Sequence, residues 1–411
     1  MADSELASAQ LASAREHFSE ILRLQPDMPP EEQIRVKLRM VECSGAASDW
    51  PSAREALCRL APLLRRVPLG TLRTELRIEA NVWAVREATR TNNSRSAERH
   101  ASRIQSAWNY GQKAQNLSSV GESTSRYSLA AYELFFGSLS TALDLLKPLE
   151  AEDPHLPSDL QYRIQLLQAF ANLRAASWDR AEFFGSLALN SATRAGDLVQ
   201  QANALNNMVC VALESGDWER ADTQLSIIEE KLEALEAAHD ATLPLRMNKA
   251  NILFYQGRPA DALAHYTACR DISRQNGIHE FDPELIACVG LTALQLGEHQ
   301  LVDETWEALA EYPPESLLGI QERFKIEWFR SFMRAKTGGA TGVQEDLKEL
   351  AALYLDKDQL EAGKLEWLSF LLGDQWRQED LWQAELEKMG VLGIRWFAFF
   401  SRRWLRQVRQ S

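Results

Sequence analysis

Seven histidines (His17, His100, His155, His239, His265, His279 and His299) are where catalysis or metal binding would start, and none is paired at i, i+4. A zinc site of the H-E-x-x-H kind needs two imidazoles on one helix face, so that chemistry has no foothold. The five cysteines (Cys43, Cys58, Cys210, Cys269 and Cys288) are equally dispersed, with no C-x-x-C pair and no histidine at metal spacing. They read as small buried apolar residues in a reducing cytosol. There is no phosphate-cradling P-loop, no G-x-S-x-G elbow and no glycine-rich dinucleotide turn. Acidic pairs such as Glu229-Glu230 read as solvated helix surface. No enzyme activity, cofactor or metal is expected, and the chemistry that remains is recognition.

One segment concentrates recognition chemistry. Ile394 to Arg409 carries five arginines, no acid and five large aromatics. As a helix it sets Trp396, Phe397, Phe400, Trp404 and Val408 on one stripe, with Arg395, Arg402, Arg406 and Arg409 largely off it. The first use of such a stripe is as a cap laid on the preceding helices. The second is docking of a partner through Arg395, Arg402, Arg403, Arg406, Trp396 and Trp404. Lying on a membrane surface is a third, weaker use.

The elements that must position these residues follow from length and periodicity. At 411 residues the chain exceeds one compact core, so several domains or an open array is expected. The net charge of −13 opposes nucleic-acid binding by the main body. No stretch approaches the ~20 apolar residues that span a bilayer, and the acidic start Met1-Ala2-Asp3-Ser4-Glu5 is no secretory signal. A cytoplasmic protein without membrane contact is expected.

A turn followed by a small residue recurs along the chain. It appears as Ser177-Trp178-Asp179-Arg180-Ala181, Gly216-Asp217-Trp218-Glu219-Arg220-Ala221, Gly257-Arg258-Pro259-Ala260-Asp261-Ala262 and Gly297-Glu298-His299-Gln300-Leu301-Val302. The anchors Ala181, Ala221, Ala262 and Val302 keep a period of about 40 residues, extending to Val343 and Leu381 and back to Ala142, Ala97, Ala53 and Ala14. Gly216 and Gly257 suit the left-handed end of a helix, Asp217 a helix cap, and Pro51 and Pro259 a first helical turn. Between turns the apolar spacing is helical, as in Ala204 to Leu213, so each unit is a pair of antiparallel helices. Twelve residues before the anchors stand Val41, Val85, Ala130, Ala169, Val209, Ala250, Gly290, Ser331 and Ser369, small or short enough for helices to approach closely.

These features resemble the tetratricopeptide family, with Gly216-Asp217-Trp218-Glu219-Arg220-Ala221 the best match. The longer period is similar to that of sensor domains in maltose-activator-type bacterial transcription regulators. The resemblance implies an all-α fold: a right-handed superhelical solenoid of antiparallel helix pairs, about nine repeats over residues 1–389, with residues 390–411 forming the C-terminal amphipathic aromatic and arginine-rich helix. The chain starts on what maps to a second helix, roughly Ala9 to Leu24. That suits either a piece of a longer protein or a lone capping helix.

The resemblance also implies a concave groove lined by first-helix side chains. Carried over repeat by repeat, those positions are Arg163, Arg174, Asn203, Asn206, Asn207, Asn248 and Asn251, with Tyr255 nearby. Asparagine is a mediocre helix former, so its recurrence on consecutive helices needs a reason. Each amide both donates and accepts, which suits an extended peptide backbone, and the two arginines suit a carboxylate. The competing reading is an internal ladder of amides between helices. Trp50, Trp178 and Trp218 read as packing between units. Trp328, Phe329, Phe332, Trp367 and Phe370 read as packing, or else as an apolar pocket. The function that follows is a non-enzymatic recognition module for a peptide, a protein segment or a small inducer, in the setting of a bacterial transcription sensor. The alternative is a constitutive protein–protein scaffold or co-chaperone adaptor.

Overall fold

The computed structural model describes residues 11–46, 49–90, 93–114, 117–151, 154–233, 239–276, 281–312, 323–338, 340–373 and 379–408. Arg409, His279 and the stretch before Leu11 lie outside them. Among the described residues there are helices and turns and no strand. In chain order the helices are α1 (Leu11–Leu24), α2 (Pro30–Ala46), α3 (Trp50–Cys58), α4 (Leu60–Arg66), α5 (Thr71–Arg90), α6 (Ser94–Ala114) and α7 (Ser119–Phe136). Next come α8 (Leu139–Leu146), α9 (Ser158–Arg174), α10 (Trp178–Ala195), α11 (Leu198–Ser215), α12 (Trp218–Glu233), α13 (His239–Tyr255) and α14 (Pro259–Asn276). The last are α15 (Asp282–Leu296), α16 (His299–Ala310), α17 (Arg323–Gly338), α18 (Ala340–Tyr354), α19 (Gln359–Leu372), α20 (Glu379–Val391) and α21 (Arg395–Val408).

Helix pairs follow the sequence repeat. The expected close-approach residues are all buried, from Val41 on α2 through Gly290 on α15 to Ser369 on α19. At Gly290 the reason is direct: a Cβ there would stand 2.4 Å from the Phe329 ring of α17. The anchors Ala14, Ala53, Ala97, Ala142, Ala181, Ala221, Ala262, Val302 and Val343 are buried as well. Leu381 departs from the series, being 42 % exposed, while its neighbour Trp382 is 2 % exposed and takes the inward position. The register slips by one residue there because the indole fills more of the core than leucine would. The longer steps around Ala97 arise because α5 and α6 run to 20 and 21 residues.

Local chemistry sets the turns. Gly216, Gly257 and Gly297 have φ of 82°, 78° and 74°. Each ends a first helix in a left-handed residue whose N–H returns to the carbonyl three residues back. Asp217 caps α12 by accepting from the Arg220 N–H at 3.2 Å. The break between α3 and α4 follows from Pro62, which has no N–H to continue the ladder to Cys58.

The chain forms two compact units. Unit 1 comprises residues 1–168, 186–204 and 231–238, and unit 2 comprises residues 169–185, 205–230 and 239–411. In unit 1 the core runs between successive pairs, with Ile34, Leu38, Leu60, Leu76 and Trp83 in one cluster and Ile78, Ile104, Trp108 and Leu129 in the next. In unit 2, α15 is buried on every face from Asp282 to Leu294, and α19 is nearly so. An edge helix of a repeat keeps one wet face. The covering element here is α21, the aromatic and arginine-rich C-terminal helix.

Three of the cysteines meet the expectation of burial: Cys43, Cys269 and Cys288. Cys210 is half-buried and Cys58 exposed, which corrects that reading for those two. Cys58 is the last residue of α3, just before the Pro62 break.

Candidate functional site

Within unit 1, first helices bring charged side chains together on one face. The Arg163 guanidinium of α9 pairs with Glu42 of α2 at 2.9 Å and with Asp159, one turn back, at 2.8 Å. It also lies 5.4 Å from the centre of the Trp83 ring on α5, and Arg86 stands 4.4 Å from that ring. Arg39 donates to Glu42 at 2.6 Å from one turn along α2. Gln200 of α11 donates to Asp159 at 3.0 Å and accepts at its carbonyl from Tyr162 at 3.1 Å. Burial works against the charge on Arg163, but Asp159 and Glu42 outweigh it and its pKa rises. Glu79 of α5 remains open to water on one side yet is hemmed in by helices. Loss of its hydration pushes the carboxyl up, against the pull of Arg39 and Arg163.

Arg163 is thus the one residue from the expected groove set at the centre of this face. Both carboxylates it holds come from the chain itself. Asn203, three residues on from Gln200, is exposed. Glu42, Glu79, Trp83 and Asp159 were not anticipated. For Glu42 the signal was a helical stripe on α2, Arg35, Arg39 and Glu42 at i, i+4 and i+7, which marks one face of a first helix.

Unit 2 is different. Asn248 donates to Asn206 at 2.9 Å, Asn251 donates to Asn248 at 3.4 Å, and the Asn251 carbonyl accepts from Tyr266 at 2.6 Å and from Lys325 at 3.1 Å. Lys325 also pairs with Glu284 at 2.9 Å. Asn248 and Asn251 are buried, Asn206 and Asn207 half-buried. These contacts are those of an amide ladder joining α11, α13, α14, α15 and α17. Arg174 is buried and pairs with Asp358, at the start of α19, at 3.3 Å. Tyr255 is buried edge-on against Trp396 and Phe400 of α21, with ring centres 4.9 and 5.2 Å away.

The inner residues of unit 2 therefore meet its own later helices. Lys364 of α19 is fully enclosed and pairs with Glu214 of α11 at 2.8 Å and with Glu361 at 3.7 Å. Burial works against its charge, but Glu214 and Glu361 overcome that and raise its pKa. Burial raises the pKa of Asp358, although Arg174 and Lys364 oppose the change.

Helix α21 lies along the first helices of five consecutive pairs. Trp396 donates to the Glu214 carbonyl at 2.7 Å, Trp404 to the Leu291 carbonyl at 3.3 Å, and Trp367 of α19 to Ser401 at 2.8 Å. Phe254 and Trp328 pack on Phe400, and Phe324 on Phe397. Of the docking set, Trp404 is buried and Trp396 and Arg402 half-buried, while Arg395, Arg403 and Arg406 face water. Trp328, Phe332 and Trp404 border a cavity of about 10 Å³, room for one water at most. Among the described residues the C-terminal aromatics pack against one another. Among the described residues no group of three or more His, Cys, Asp or Glu is placed to hold a metal, and no helix is long and apolar enough to cross a membrane.

No protein-family model and no curated protein matches this sequence. Solved structures do. A Rap protein complexed with Competence and Sporulation Factor superposes with a TM-score of 0.61 at 16 % identity, over 92 % of this chain and 98 % of that one. NprR in complex with its cognate peptide NprX gives 0.56 at 14 % identity, over 87 % and 98 %. The apo form of the quorum sensor NprR from B. thuringiensis gives 0.52 at 15 % identity, over 87 % and 99 %. At such identities the likeness is one of fold: the chain is an all-α array of tetratricopeptide-like helix pairs.

Proposed function

We propose that the protein is a recognition module that binds a peptide or protein segment on the inner face of unit 1. One observation carries this reading. Half-buried Glu42, Asp159 and Arg163 and exposed Glu79, from three first helices, share a face that no later helix of unit 1 is seen to fill among the described residues, with the buried Trp83 ring beside Arg163, whereas the matching row of unit 2 is filled by α21. A surface assembled from successive repeats suits an extended segment, because each first helix meets a different residue of the ligand. One of the similar structures, NprR, holds its cognate peptide, which supports a peptide as the ligand class. A role as the sensor of a bacterial regulator fits the same comparisons.

In this mechanism Arg163 supplies a guanidinium already held in place by Glu42 and Asp159. A ligand carboxylate would exchange with one of them, and a ligand cation would pair with Glu79, which makes no hydrogen bond within the described chain. Asn203 offers a free amide to the ligand backbone. The test is affinity selection from a synthetic library of short random peptides, followed by titration of the selected peptides. Selected peptides should bind Glu79→Gln and Asn203→Ala at least about tenfold more weakly than wild type, a loss of ~1.4 kcal/mol in binding, with melting unchanged. Selection of no peptide, alongside stoichiometric recovery of folded protein partners, would instead favour the scaffold.

A further inference from the structure

The seat of α21 has the attributes of a helix-binding site. Trp396 satisfies the Glu214 carbonyl, which lies in the last turn of α11 where the helix offers no partner. Trp404 reaches the Leu291 carbonyl, and Ser401 accepts the Trp367 indole. The turn glycines leave room for it: a Cβ on Gly216 would stand 2.6 Å from Trp396, and one on Gly257 3.0 Å from Arg403. Ala398 and Ser401 are fully buried where the helix comes closest, Arg395, Arg403 and Arg406 stay on the outer side, and Arg402 is half-buried over the Trp382 ring at 4.0 Å. The seat thus reads tryptophans eight residues apart, a phenylalanine midway, small residues between them and a basic outer face. That is the pattern of an amphipathic helix in a groove.

We infer that the inner row of unit 2 is a helix-binding site whose resident ligand is α21. A helix of another polypeptide with the same aromatic and arginine pattern takes the seat when α21 gives way. This is independent of the reading of unit 1. The link Leu392-Gly393-Ile394 is the joint about which α21 would leave, with Gly393 at φ 71° and Leu392 held by the Trp178 indole. Because α21 is tethered, its effective concentration at the seat is on the order of millimolar, so a partner helix enters only where α21 is weakened.

The experiment uses the full chain and a fluorescein-labelled synthetic peptide of residues Ile394 to Arg409, followed by anisotropy. The chain carrying Trp396→Ala and Trp404→Ala should bind the peptide at least tenfold more tightly than wild type, and a scrambled peptide should not bind. Gln295 and Gln407, in contact at 2.8 Å, provide the lock. A Gln295→Cys, Gln407→Cys chain in a Cys58→Ser background, joined by a short bismaleimide, should lose all binding. If the double variant does not fold, Trp396→Phe removes only the indole bond and should give a smaller gain in the same direction. The proposal is overturned if the peptide binds the locked chain as well as the weakened one. It is equally overturned if a folded variant whose α21 amides exchange freely binds no peptide. Concentration-dependent exchange of α21 between copies, without uptake of added peptide, would also overturn it and identify a second copy as the occupant.

Discussion

Single residues in this protein carry two duties, and His100 shows how burial decides between them. Its Nδ1 lies 2.8 Å from the Asn81 carbonyl oxygen, and the Asn81 amide nitrogen donates to Arg77. That fixes the asparagine and places the ring proton on Nδ1. Burial, and then the nearby Arg103 and Arg99, push the imidazole down to about 4 from 6.5. The folded pKa is depressed, so His100 contributes stability that is fully present above pH 6.5. The unfolded chain takes up its proton first, and the contribution is lost as pH falls from 6.5 through about 4. Water still reaches the ring, which reduces the effect to on the order of 1 kcal/mol. Melting curves across that window should show wild type losing several degrees more than His100→Gln. Equal slopes for the two proteins would assign the acid loss to other groups. Arg163 shows the other outcome: burial opposes its charge, but Asp159 and Glu42 keep it.

At the scale of the element, the same turn is built among the described residues with glycine five times, at Gly196, Gly216, Gly257, Gly297 and Gly393, and with alanine once. Ala176 has φ 51°, and its N–H returns to the Leu173 carbonyl at 3.0 Å as Gly216 returns to Leu213 at 3.1 Å. The next residue bonds back across the turn in both places, Ser177 to Asn172 and Asp217 to Ala212. A Cβ in this conformation is strained, while glycine costs more chain entropy on folding. Ala176→Gly should therefore stabilise the protein by roughly 0.5–1 kcal/mol, read as a shift in the denaturation midpoint with unchanged slope. A loss of stability would mean that the Ala176 methyl group is needed for packing. This turn also shows what the sequence made legible. Helix pairs, left-handed turns and close-approach residues were readable because each is set within one repeat by spacing and glycine. The groove was not readable in the same way. Asn248 and Asn251 stand at the expected positions, but their partners Tyr266 and Lys325 come from other helices, and Lys325 lies 74 residues from Asn251. Glu42 meets Arg163 across 121 residues. No local pattern encodes which distant side chain reaches an inner face.

Over the whole molecule, the question is whether each unit behaves as a linear stack. In an ideal solenoid each repeat touches only its neighbours, and stability is a sum of local terms. Unit 2 departs from that rule. Arg174 of α9 meets Asp358, Glu214 of α11 meets Lys364, and α21 touches the first helices of five pairs. These contacts join the early and late helices of the unit, so its parts should lose structure together. Lys364 provides the test, because it is enclosed between Glu214 and Glu361. Removing one partner of a buried network leaves uncompensated charge, at a cost of about 3–5 kcal/mol. Lys364→Ala should lower stability by about that much, whereas Lys388→Ala, which breaks only an exposed pair with Glu385, should change it by less than about 1 kcal/mol. Native-state hydrogen exchange gives the sharper reading. In Lys364→Ala the amides of α11, α13 and α15 should lose protection together with those of α19, although Lys364 is more than one repeat away from each. Loss confined to α19 and its neighbours would show that unit 2 unfolds repeat by repeat, and that the long-range contacts add specificity rather than cooperativity.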